Sequence, residues 1–175
     1  MGLVGCLAAI WLKRLRYPWS HLRQRLCEGR YLKTELPEAE SLQEIRTHLK
    51  KVKWTADGFF HLWDALSYPE TVWVKKKDDC DGFSVLAAEL LERLHPSLNP
   101  VLVTAAVRPL KRSHTVCAFR DGQKLAFYDN SKLRKGDYQS YADIVKKFTK
   151  ERSAKLLCWD VVKPKTYEIL EFHRA

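Results

Sequence analysis

Lys77-Asp78-Asp79-Cys80-Asp81-Gly82-Phe83-Ser84-Val85-Leu86-Ala87-Ala88-Glu89-Leu90-Leu91 is the stretch on which the reading of this chain turns. A turn dense in carboxylates delivers a cysteine to the first turn of a helix. Apolar residues at Phe83, Val85-Leu86, Leu90-Leu91 and Leu94 then recur at spacings that suit one buried helical face. A thiol so placed meets unpaired backbone N–H groups and the positive end of the helix dipole, and both favour thiolate. Cys80 is the candidate nucleophile.

Downstream of this helix the chain changes character. Pro96 and Pro100 end helical structure, and residues 101–107, 115–119 and 125–128 read as strands, with a hairpin signal at Asp121-Gly122. Residues 140–148 read as a helix, followed by strands over 155–162 and 167–172. Upstream, residues 38–53 are an expected helix with Leu42, Ile45, Leu49 and Val52 on its apolar stripe. Ser41 and Glu44 have the spacing of a capping box inside it. Helices first and an antiparallel sheet afterwards make an α+β domain.

A chain of 175 residues is expected to form one structural domain, and 46% hydrophobic residues exclude overall disorder. Five scattered cysteines contain no CxxC pair and leave one over, which argues against a zinc knuckle, a thioredoxin motif or a disulfide framework. Cys117 and Cys158 lie in apolar runs and are expected to be buried. The net charge of +10 favours an acidic partner: nucleic acid, an anionic membrane or an acidic protein.

Residues 1–30 form a basic amphipathic segment ahead of the main domain at 31–175. Trp11, Leu12, Leu15, Trp19, Leu22 and Leu26 recur with Arg and Lys between them, and Pro18 predicts a break into two short helices. The expectation is that this apolar stripe packs on the core. The alternative is an anionic surface on which the segment lies. The apolar run at the start falls well short of the ~20 residues that span a membrane, and its basic residues follow it, unlike those of a secretory signal. A cytoplasmic location is expected, with peripheral membrane association as the alternative.

His114 opens the second strand of the hairpin region and Asp129 closes the third. In an antiparallel hairpin the start of one strand lies beside the end of the next, so the two are expected neighbours. With the Cys80 helix packed on this sheet, Cys80 would attack, His114 would shuttle the proton and Asp129 would fix the imidazole. Singly, each has a plainer reading: a structural cysteine, a satisfied strand histidine, a turn-forming aspartate.

In this order the residues resemble the transglutaminase-like superfamily of papain-like cysteine enzymes, and within it the bacterial transglutaminase-like cysteine proteinases. Those carry a proline some eleven residues before a Gly-Asp-Cys-Glu-Asp-Tyr-Ala type segment, then His-Ala-Val-Leu, then Leu-Asp-Asn. Here Pro69-Glu70 precedes Asp79-Cys80-Asp81-Gly82-Phe83-Ser84, and His114-Thr115-Val116-Cys117 and Tyr128-Asp129-Asn130 follow, within residues 63–138. The resemblance implies a papain-like fold, the triad Cys80, His114 and Asp129, and a protein or peptide substrate. Two positions depart from the pattern: the usual Gly is Asp78, and the second acid after the cysteine is Gly82.

Some members of that group bind calcium through carboxylates flanking the cysteine, and Asp79 and Asp81 retain part of such a set. Calcium takes six to eight oxygen ligands, and the two residues read more simply as helix caps. The expectation is therefore that no cofactor is required. The oxyanion would take the Cys80 backbone N–H and one side-chain donor from Trp63, His61 or Trp73.

These readings lead to a cysteine-nucleophile hydrolase or acyl transferase that cleaves an amide, peptide or glutamine side chain, through a thioester, most simply a peptidase. The rival is a catalytically silent fold that binds nucleic acid or an acidic partner through its basic face, including Lys75-Lys76-Lys77.

Overall fold

The computed structural model describes residues 3–56 and 65–175. The stretch around Cys80 forms α5 (Cys80–Leu94), which buries Leu86, Leu90 and Leu91 against a six-stranded antiparallel sheet. The sheet consists of β3 (Val101–Arg108), β4 (His114–Asp121), β5 (Lys124–Asp129), β6 (Lys132–Tyr138), β7 (Lys155–Val162) and β8 (Ile169–Arg174), ordered β6-β5-β4-β3-β7-β8. Alternation along β3 sends Leu102 toward α5 and Val103 and Ala105 to the other face. There α6 (Tyr141–Glu151) covers them with Ile144, Val145 and Phe148. Both faces of the central strands are thus buried, which explains their near-continuous apolar runs.

The hairpin signal is realised as the β4–β5 turn, where Asp121 pairs with Lys124 and Gly122 takes φ of +69°. Three elements differ from the sequence reading. The helix expected over 38–53 is shorter, α3 (Leu42–Leu49), because the Ser41 hydroxyl accepts the Glu44 N–H and so sets the start. Residues 69–75, assigned no element from the sequence, form α4 (Pro69–Lys75), since a proline in the first turn gives up no helical hydrogen bond. Strand β6 is edge-lying and charged, so it carries no apolar alternation to reveal it. A short parallel pair, β1 (Lys53–Trp54) with β2 (Lys77–Asp78), leads into Cys80.

The amino-terminal segment departs furthest. Pro18 does not divide it: α1 (Leu3–Ile10) passes through a π-helical turn, Trp11–Leu15, into α2 (Arg16–Cys27). In the wide turn the Arg16 N–H reaches back to the Trp11 carbonyl. Of the stripe expected to pack on the core, Leu12 is buried and Trp11 half-buried, but Leu15, Trp19, Leu22 and Leu26 are turned outward and exposed. The inward face of α2 is polar instead: Arg16, Tyr17, Ser20 and Gln24 are buried.

Each inward group is satisfied by the body of the protein. Arg16 donates to Thr104 Oγ1 at 2.9 Å and pairs with Asp81. The Tyr17 hydroxyl donates to Asp160 Oδ2 at 2.7 Å, Ser20 Oγ accepts the Leu66 N–H at 3.0 Å, and Gln24 Nε2 donates to the Leu66 carbonyl at 3.0 Å. Hydrogen bonding supplies here the fit that apolar packing was expected to supply.

Asp160 is fully buried on β7, and burial pushes its carboxyl up to about 7, against the opposing pull of Arg16 and the Tyr17 hydroxyl. A carboxyl whose folded pKa lies above its unfolded one favours the fold while it is protonated. Its contribution is full below the unfolded value of about 3.9 and is lost as pH rises through about 7. Asp160→Asn should therefore resemble the wild type in urea stability at acid pH and exceed it near about pH 8. Parallel stability–pH curves for the two proteins would exclude this burial cost.

Candidate functional site

Cys80 is the first residue of α5 and is half-buried. Asp79, extended at the N-cap, accepts the Asp81 N–H at 2.9 Å through Oδ1. Ser84 Oγ lies 2.8 Å from the Cys80 carbonyl oxygen and 3.2 Å from that of Thr115, so its hydroxyl links the first turn of the helix to β4. That link fixes where the thiol stands relative to His114, one residue before Thr115.

His114 is 4% exposed, and its Nε2 lies 2.8 Å from Asp129 Oδ1, across the start of β4 and the end of β5. The Phe148 ring meets the imidazole in a T-shaped contact at 5.7 Å between centroids. Burial lowers the His114 pKa, and the Asp129 hydrogen bond pulls against that shift. For Asp129, burial acts upward but is outweighed by the His114 hydrogen bond and by the charges of His114, Arg152 and Arg134, so its pKa is lowered. Arg152 and Arg134 each stand 3.7 Å from an Asp129 oxygen. With Asp129 ionised, Nε2 carries the proton it shares with Oδ1, which leaves Nδ1 as the basic nitrogen of the ring.

Cys80 and His114 line one cavity of about 210 Å³, together with Leu12, Arg16, Trp54 and Asn130. The structure thus brings His114 to Asp129 and sets Cys80 on the same cavity wall. Trp73 lies elsewhere: it meets His48 edge-on at 5.7 Å, carries Lys76 over its ring, and is not part of that wall. Trp63 and His61 lie outside the described residues. Arg16 and Trp54 were not singled out by the sequence. An arginine four residues after the buried Leu12 was the available signal for the first, and nothing in the sequence marked the second.

Among the other cysteines, Cys6 and Cys27 are exposed while Cys117 and Cys158 are buried. Burial raises the Cys117 thiol far above its usual range and pushes that of Cys158 up to about 11.

Ligand atoms of Asp79, Cys80 and Asp81 lie within 4.8 Å of one another. The departures at 78 and 82 bear on this group as a pair. A Cβ on residue 82 would overlap the Asp78 side chain, so the absent side chain of Gly82 is what admits the Asp78 carboxyl. The Asp78 carboxyl so admitted accepts the Asp79 N–H at 2.9 Å. Oxygen donors of this kind suit calcium, and Arg16 competes for one of them through its pair with Asp81.

No protein-family model matches the chain, and no curated protein matches it. Among solved structures it is similar to Legionella pneumophila LapG. The calcium-bound form is 18% identical over 73% of this chain and 69% of that one, with a TM-score of 0.48. A second LapG structure is 18% identical over 67% and 62%, with a TM-score of 0.45. The EGTA-treated form is 17% identical over 77% and 70%, with a TM-score of 0.47. The expectation that no cofactor is required is not supported, since the similar structures include calcium-bound and EGTA-treated LapG. The fold of this chain is α+β, with helices ahead of an antiparallel sheet and Cys80 at a helix start.

Proposed function

We propose that the chain is a cysteine hydrolase acting on amide bonds of a peptide or protein substrate, with Cys80, His114 and Asp129 as its triad. The observation that carries this reading is the buried His114–Asp129 pair beside a cavity that Cys80 also lines. His114 Nδ1 takes the thiol proton as Cys80 Sγ bonds to the substrate carbonyl carbon. The resulting oxyanion receives the Cys80 backbone N–H at the positive end of the helix. Collapse breaks the C–N bond, and the imidazolium returns its proton to the departing amine. Water, deprotonated by the same nitrogen, then cleaves the thioester to a carboxylic acid and restores the thiol.

Carboxylates at 79 and 81 oppose a thiolate at 80, and the Arg16 guanidinium against Asp81 offsets one of them. Asp79 and Asp81, whose ligand atoms lie together with that of Cys80, are the residues that would hold calcium. Bound there, the ion would add positive charge beside the thiol and stiffen the turn that carries it.

Three measurements test these readings. Cys80→Ser and His114→Ala should each abolish cleavage of an unstructured protein such as casein, and Asp129→Asn should slow it by ~10²–10⁴. His114→Ala should also slow iodoacetamide labelling at Cys80. Full turnover by Cys80→Ser would sink the assignment. For calcium, millimolar ion should raise the melting temperature of the wild type, EGTA should reverse the rise, and Gly82→Asp alone should abolish it by crowding Asp78. Exchanging the pair, Asp78→Gly with Gly82→Asp, should recover it. A melting temperature indifferent to calcium in the wild type would remove the ion from this site.

A further inference from the structure

The outward face of the amino-terminal helix is the one strongly apolar surface that the fold leaves uncovered among the described residues. On α1 it presents Leu3, Leu7 and Ile10, and on α2 Leu15, Trp19, Leu22 and Leu26, all between 44% and 76% exposed. At about 100° per residue these two sets would point to different sides of a regular α-helix. The π-turn at Trp11–Leu15 inserts one residue into the register and turns the later set back by about that angle. Counted with that insertion, the seven follow one another at spacings of four and three, as a single stripe. The 25 residues from Leu3 to Cys27 would extend it over about 37 Å. The same shift keeps Ala8 and Leu12 in line with Arg16, Tyr17, Ser20 and Gln24 on the opposite, inward side.

Charge indicates what covers the stripe. Leu3 to Cys27 contains five Lys and Arg and no acid. Lys13, Arg14 and Arg25 are exposed beside the apolar residues, and the first acid, Glu28, is buried with its carboxylate held by Tyr68, Thr71 and Arg23. An apolar face carrying an exposed tryptophan, on a helix whose charged residues are all cations, matches the headgroup region of an anionic bilayer. No helix among the described residues is long and apolar enough to cross a membrane, so the contact lies in the plane of the surface. We propose that Leu3–Cys27 docks this protein, outward face down, on a membrane surface rich in anionic lipid. The docking does not depend on the catalytic reading and is measured without turnover.

Flotation of the full chain with vesicles tests it. Vesicles of phosphatidylcholine with one third phosphatidylglycerol should carry the protein at low salt and release it in half-molar salt, and vesicles of phosphatidylcholine alone should carry far less. Lys13→Glu, Arg14→Glu and Arg25→Glu should each weaken binding by at least roughly fivefold, the effect of one basic residue near such a surface. Leu7→Asp with Leu22→Asp should abolish it while leaving the circular dichroism of the free protein unchanged, since both side chains are exposed. Absence of flotation with the anionic vesicles, or equal flotation with both kinds, would overturn the proposal. So would a wild-type dimer in sedimentation that Leu7→Asp with Leu22→Asp dissolves, because the stripe would then belong to a second copy.

Discussion

The Arg16–Asp81 ion pair is the constraint on which the rest of the site depends. It joins the amino-terminal helix to the first turn of α5, with both side chains almost fully removed from water. A buried pair of this kind adds little over an apolar substitute, but leaving either partner alone costs about 3–5 kcal/mol. The Thr104 hydroxyl, which meets Arg16 at 2.9 Å, supplies part of the surrounding hydrogen bonding that makes the pair tolerable. Because Asp81 follows Cys80 directly, the position of the thiol is tied to a residue far away in the sequence. The helix that brings Arg16 is therefore part of the cavity as well as of the fold.

How much of this was legible depends on where the information resided. Helix α5 could be read because its apolar spacing, its capping acid and the cysteine agreed locally. The β4–β5 hairpin could be read because Asp121-Gly122 admits few other conformations, and its geometry put His114 and Asp129 near one another before any coordinates. The orientation of the amino-terminal helix could not. The π-turn changes the phase of everything after Leu15, and apolar periodicity assumes that the phase is constant. A stripe read as inward is outward for that reason, and the inward face is chosen by hydrogen bonds to Thr104, Asp160 and Leu66. Strand β6 escaped because an edge strand need not be apolar, and Trp54 because its placement depends on pairing with residues near Asp78.

The electrostatics of the cavity form a graded series. His114 is held toward neutrality by burial while Asp129 stays ionised among arginines, so the imidazole has one nitrogen committed and one open. Farther along β7, Asp160 sits where burial outweighs the same kind of cationic help. Arg16 draws Asp160 downward by its charge and pairs with Asp81, so one guanidinium serves two carboxyl groups. Such an arrangement constrains the amino-terminal helix to a narrow set of positions, since moving it would expose or strand several charges together.

Asp78 and Gly82 constrain each other as a pair. The space that a side chain at 82 would fill is held by the Asp78 side chain. Its carboxyl accepts the Asp79 N–H at 2.9 Å, directly ahead of the Cys80 helix. A change at 82 alone would therefore push on the turn that presents the thiol, so the two positions can vary only together.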